Sequence, residues 1–183
     1  MLEISQELFR KQGFDASTLE EICDRAQISK RTFFRYFRDK ESLVFPNREQ
    51  RLEDFESFLQ LPLPQENPFD TLRKATRLYG AEYNSNRVAI LAQQSLVHGS
   101  GHLLAREAEI DRDWERQIAL AFARKVGGGE SVELWSRVMA GAIMGVVRST
   151  MSYWFERNCE DNLVDLGLDA IDKLEKGFPI GPS

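Results

Sequence analysis

The residues from Ser29 to Lys40 read SKRTFFRYFRDK, and they mix two chemistries that repel each other's surroundings. Lys30, Arg31, Arg35, Arg38 and Lys40 are cations that need water or an anion, whereas Phe33, Phe34 and Phe37 need burial. Guanidinium groups present planar donor forks that pair bidentately with guanine edges or with phosphate, and the hydroxyls of Thr32 and Tyr36 suit phosphate oxygens. On a helix turning 100° per residue, the three phenylalanines fall within an arc of about 100°, and Arg31, Thr32, Arg35 and Tyr36 take the opposite side. Lys30 stands in the first turn, where a helix inserted in a major groove touches base edges. A cationic amphipathic helix is often only a solvated surface, so the elements around it decide what it is.

Those elements are legible on either side. Leu2, Ile4, Leu8 and Phe9 mark the inward stripe of a first helix that ends at Gly13. Thr18 caps a short second helix, with Glu21 three residues on to complete a capping box, and Leu19, Ile22, Cys23 and Ala26 face inward. After the turn AQI, Ser29 caps the third helix. Two short helices joined by a tight turn, the second of them cationic, make a helix-turn-helix. Asp39 is expected to cap a fourth helix beginning KESLVF, with a kink or restart at Pro46.

Charge is segregated along the chain. The 183 residues carry a formal charge of −5, yet residues 25–40 hold Arg25, Lys30, Arg31, Arg35, Arg38 and Lys40 against Asp39 alone. An acidic protein with one dense cationic segment has its anion-binding capacity in one place. Hydrophobic content of 42% with 29% charged residues is that of a globular chain able to bury a core. The longest small-apolar run, Val138 to Val147, is fenced by Arg137 and Arg148 and is far short of the roughly 20 residues a membrane span takes. A cytoplasmic protein is expected, with Cys23 and Cys159 as free, buried thiols.

Beyond the head, periodicity predicts helices only. The stretch from Leu59 to Asp70 is a proline-punctuated connector; helices follow at 68–83, 86–97 and 102–125, then 130–157 and 161–176. The glycines at 127–129 are the clearest stop signal, and HGSG at 98–101 breaks two helices apart. The histidines His98 and His102 do not make a zinc set, and the corner lacks the spacing of a nucleophile elbow or a dinucleotide loop. Neither an enzyme nor a metal or other cofactor is expected. The fold class is all-α: a three-helix head over 1–46 and a larger helical body over 47–183.

The stretch TLEEICDRAQISKRTFFRYFRDKESL resembles the DNA-binding signature of the TetR family of transcriptional regulators: a Thr-led helix, a turn, then Ser-x-x-Thr-aromatic-aromatic-x-Tyr-Phe-x-x-Lys-Glu. Thr18, Ser29, Thr32, Tyr36, Phe37, Lys40 and Glu41 occupy the matching positions. The preceding ISQELFRKQGFDAST is similar to that family's first helix, so the resemblance covers residues 1–45. It implies a DNA-binding regulator of transcription, commonly a repressor released by a small molecule. Lys30 and Arg31 would read base edges, and Arg35 would read bases or grip the backbone. Thr18, Thr32, Tyr36 and Lys40 would hold phosphates. Phe34, at the edge of the core on a helical wheel, stands where relatives touch DNA and could meet a thymine methyl. Arg31 replaces a glycine of many relatives, and the chain begins almost inside the first helix.

One head contacts too few base pairs for discrimination, so a homodimer on a double-stranded operator is expected. The helix at 130–157 has an apolar band wider than one core face needs, and the resemblance implies that the last two helices pair with their copies. Trp135, Met139, Ile143, Val146, Val147, Met151, Trp154, Leu168 and Ile171 are the candidate interface. The resemblance also implies an effector pocket in the body, for which Tyr79, Tyr83, Gln93, Gln94, His98, Trp114 and Met139 are candidates. The rival readings are a helical dimerisation module of this fold that no longer binds an operator, and a regulator with no effector.

Overall fold

A computed structural model describes residues 1–60, 67–127 and 129–177. Among these residues every regular element is helical: α1 (Leu2–Gln12), α2 (Leu19–Arg25), α3 (Lys30–Tyr36), a 3-10 turn (Glu41–Leu43), α4 (Arg48–Gln60), α5 (Pro68–Ser85), α6 (Arg87–His98), α7 (Gly101–Val126), α8 (Glu130–Glu156) and α9 (Leu163–Lys176). The expected connector at 59–70 and the glycine stop at 127–129 lie partly outside the described residues. Pro68, which closes that connector, opens α5 at its first position, where a missing N–H costs nothing, and Asn67 caps it by accepting from the Phe69 amide.

Local chemistry accounts for the head. The Thr18 hydroxyl accepts from the Glu21 amide and the Glu21 carboxylate accepts from the Thr18 amide, so the capping box is complete. α2 ends with Gln27 at φ 54°, its N–H on the Asp24 carbonyl and the Ile28 N–H on the Cys23 carbonyl. These two bonds make a Schellman closure, and Gln27 sits where glycine usually does. Ser29 then caps α3 through the Thr32 amide. The fourth helix does not start at Asp39 as one piece. Asp39 accepts from the Ser42 amide and organises only the short 3-10 turn, and the chain restarts as α4 beyond Pro46 and Asn47.

The described chain divides into two compact units, Met1–Arg51 with Ala92–Ile110, and Leu52–Leu91 with Asp111–Ser183. In the first, Leu8, Phe9, Phe14, Ile22, Cys23, Phe33, Leu43 and Val44 share a core with Val97 and Leu103. Polar bonds tie Ala92–Ile110 to this head: Gln93 Nε2 donates to the Val44 carbonyl at 2.6 Å, Ser100 Oγ to Asp15 at 2.7 Å and Arg106 to Asp39 at 3.3 Å, and His102 is hydrogen-bonded to Glu41. The HGSG corner is thus a helix junction, and Ser100 also accepts from the Leu103 amide as the cap of α7. Leu2, expected inward, is 38% exposed.

In the second unit, α9 packs on both α5 and α8. Gly167 lets α9 approach α5 so closely that an added Cβ would lie 2.7 Å from Thr76 Cγ2. Arg73 on α5 then binds Asp70, Asp172 and Glu175, two of them on α9. Phe55, Leu72, Ile118, Phe122, Ala140, Ile143, Met144 and Ile171 form one core; Trp154, Cys159 and Leu163 form another. Both cysteines are buried and free. Several residues expected at an interface between copies are instead interior to this unit. Ile143 and Ile171 are core residues, Met139 and Met151 pack on the two cores, and Trp154 is 0% exposed with its indole N–H on the Asp161 carbonyl. A helical wheel finds an apolar band without saying how much of it the same chain covers. Trp135 and Val147 are exposed, and Val146 and Leu168 are half-buried.

Two outcomes follow from this packing. A left-handed backbone costs a non-glycine residue about 1–2 kcal/mol, so Gln27→Gly should raise urea stability by about 1 kcal/mol; a loss would contradict the assigned closure. Arg73 holds the Asp172 and Glu175 carboxyls below their ordinary range by hydrogen bonds first and charge second. Stability from such depressed groups is present above the ordinary carboxylate range and is lost as pH falls through the folded-state values. Arg73→Met should therefore lower the urea midpoint most at neutral pH, with the gap to the parent closing in acid; a gap independent of pH would contradict the network.

Candidate nucleic-acid interface

α3 is fixed by one buried ring. Phe33 is 0% exposed in the head core, and its ring meets Phe37 at 5.3 Å and Phe34, edge-on, at 5.4 Å. Phe37 is half-buried just past the helix end. With Phe33 inside, helical geometry turns Arg31 and Arg35 outward, and both are exposed. Phe34 is 55% exposed: the wheel's edge of the core is here an outward ring beside the cations.

The outward face is organised in the free protein. Arg35 Nη2 donates to the Tyr36 hydroxyl at 2.9 Å, with its guanidinium 4.7 Å from the centre of the Tyr36 ring. Tyr36 is 66% exposed, so the pair stands clear of the protein. The Thr32 and Ser29 hydroxyls lie 2.9 Å apart, and Thr18 is exposed at the start of α2. Lys30 donates to Glu20 of α2, a partner the sequence reading missed because the two are ten residues apart. The arrangement offers guanidinium, ammonium, hydroxyl and phenol donors on one side of α3, the mixture that suits base edges and phosphate oxygens.

Lys40 differs from what the signature implied. Its ammonium donates to the Phe14 and Ser17 carbonyls, each at 2.8 Å, and lies 3.9 Å from the centre of the Phe14 ring. Burial pulls its pKa below the usual lysine value. The side chain closes the loop between α1 and α2, so most of its donors are spent on the protein's own backbone.

The candidate effector residues are divided between the two units. Tyr79 and Trp114 pack edge to face at 5.8 Å, both against Phe55, and Met139 lies on the same core. Tyr83 packs on the Trp154 cluster. Gln93 is bonded to Val44, and Gln94 and His98 pair with each other at the surface; these three belong to the unit that holds the head. Aromatic and amide side chains at helical spacing serve a core as readily as a pocket. Among the described residues, no group of three metal-ligating side chains gathers, and no helix is long and apolar enough to cross a membrane.

Comparison with known proteins agrees with this geometry. Residues 2–45 match the family described as bacterial regulatory proteins, tetR family, and residues 66–179 match the MftR C-terminal domain. A mycofactocin biosynthesis transcriptional regulator, MftR of Mycobacterium tuberculosis, is 23% identical over 152 residues, covering 83% of this chain and 76% of that protein. The HTH-type transcriptional regulator TcmR of Streptomyces glaucescens is 26% identical over 157 residues, covering 82% and 70%. The crystal structure of Thermus thermophilus FadR, a TetR-family repressor in complex with lauroyl-CoA, superposes with a TM-score of 0.60 at 21% identity, covering 100% of this chain and 95% of that one. The chain belongs to the TetR family of DNA-binding transcriptional regulators.

Proposed function

We propose that the protein is a homodimeric repressor that places two copies of α3 in successive major grooves of an operator and leaves it when a small molecule binds the body. The observation that carries this reading is the outward array on α3 held in place by the buried Phe33. In it, Lys30 and Arg31 read base edges, Arg35 reads bases or grips the backbone, and Thr18, Thr32 and Tyr36 hold phosphates. The exposed ring of Phe34 meets a thymine methyl. Lys40 serves the surface indirectly, by fixing the loop that carries Thr18. The head over 1–46 is the DNA-binding part, and 47–183 serves the dimer and the effector.

Dimerisation is supported by the outer face of α8. Leu134, Trp135 and Val138 are exposed there, Val147 is exposed on another side of the helix, and an open groove of about 430 Å³ runs along Ala142, Gly145, Val146, Ser149 and Thr150 with Ala170 and Leu174 of α9. Small residues flanked by exposed apolar ones fit the close approach of a second pair of helices. An effector is supported by the interior of the same unit. Thr71 Oγ1, Gln117 Oε1 and Lys125 Nζ are buried with no hydrogen-bond partner among the described residues, which is costly unless something bound satisfies them. The lauroyl-CoA held by the Thermus relative makes acyl-CoA thioesters the first probes.

Gel-shift titration on DNA flanking the gene tests the DNA reading. Specific binding should weaken with salt with a slope of about −0.9 per phosphate contact. Arg31→Ala should relax base preference at a cost of about 1–3 kcal/mol and leave the melting temperature unchanged, since the side chain is exposed. Lys40→Met should instead destabilise the fold by about 1–3 kcal/mol through loss of its bonds to the Phe14 and Ser17 carbonyls. Equal loss on all sequences with Arg31→Ala, or a Lys40→Met variant as stable as the parent, would contradict these assignments. If the body is built for a ligand, Thr71→Val should stabilise the free protein by about 1 kcal/mol and weaken effector-induced release; lower stability would contradict it.

A further inference from the structure

At the corner between α2 and α3 an anion is paired with one of the cations. Glu20, in the first turn of α2, accepts a hydrogen bond from the ammonium of Lys30 at the start of α3. The two side chains stay 59% and 51% exposed. The bridge is not needed to cap α2, because Thr18 and Glu21 do that between themselves. An exposed ion pair of this kind also contributes little to stability. Yet a carboxylate at the rim of a DNA-binding surface has a cost: it repels phosphates and weakens binding to every sequence. Lys30 holds the Glu20 carboxyl below its ordinary range, by hydrogen bonding first, so the group meets DNA as an acceptor only.

In the major groove one base edge answers a carboxylate well, the amino group of cytosine N4, while the neighbouring ammonium suits guanine O6 and N7. An acceptor and a donor side by side therefore match the two strands of adjacent G·C pairs. Lysine has a flexible stem and three N–H donors. With one donor on Glu20, two remain for a guanine, and the ammonium is kept from swinging to a phosphate. We propose that Glu20 determines specificity: its carboxylate reads a cytosine amino group and holds Lys30 on the guanine of a neighbouring pair. This rests on α3 being the helix that enters the groove.

Selection from a randomised duplex pool, followed by titration on the selected operator and on an unrelated duplex at several salt concentrations, tests it. Glu20→Gln keeps the shape of the side chain and removes the charge. It should lose about tenfold discrimination at one cytosine position, bind unrelated DNA roughly two- to fivefold more tightly, and steepen the salt slope by about one phosphate contact. Glu20→Asp keeps the charge but withdraws it by one methylene; it should lose the preference without gaining affinity for unrelated DNA. The effects of Glu20→Gln and Lys30→Met should not add, since one acts through the other. If Glu20→Gln selects the same operator with the same discrimination and salt slope, the pair is a surface ion pair and the proposal falls. Failure of the α3 reading is seen separately, as a parent protein that selects no sequence or an Arg31→Ala variant with unchanged preference.

Discussion

Everything on the outward face of α3 depends on one ring being out of water. Phe33 is wholly buried among Leu8, Phe9, Phe14, Ile22 and Leu43, and a seven-residue helix has no other deep anchor. Isolated helices of that length do not persist in water, so α3 exists because its aromatic side is packed. The same burial sets the helix's rotation. Rolling α3 to expose Phe33 would cost the transfer of a whole aromatic side chain, about 1.5–3 kcal/mol before any loss of packing. The orientation of Arg31 and Arg35 is thus decided by a residue that is itself wholly buried.

The rest of the head keeps that anchor in place. Capping by Thr18 and Ser29 defines where α2 and α3 begin, and Lys40 draws the α1–α2 loop together through the Phe14 and Ser17 carbonyls. The bonds from Gln93, Ser100, His102 and Arg106 join the same unit from the far end of α6 and the start of α7. α3 is therefore a short helix in a unit supported by bonds from distant parts of the chain.

What could be read from the sequence was local. The capping box, the cap at Ser29, the break at the HGSG corner and the long helix expected at 130–157, observed as Glu130–Glu156, each have their cause within a few residues. What escaped was long-range. Lys40 bonds residues 23 and 26 positions away, and Arg106 reaches Asp39 across 67. No wheel drawn on one helix contains such a partner. The apolar band of α8 raised a different difficulty, since periodicity shows that a face is apolar but not whether its own neighbours cover it. Ile143 and Trp154 are covered, while Val138 and Trp135 are not. Tyr79 and Trp114 raise the same difficulty: they have the composition of a binding site and pack together against a core.

The central claim is that a buried Phe33 presents Arg31 and Arg35 to a duplex. Its most direct test follows the arginine Nε–H signals by NMR as a selected operator is titrated into the protein, with the Phe33 ring signals as internal reference. The account requires the Arg31 and Arg35 signals to shift and broaden first while the Phe33 ring stays unchanged. Shifts confined to arginines elsewhere in the chain, or a Phe33 ring whose environment changes along with them, would contradict it.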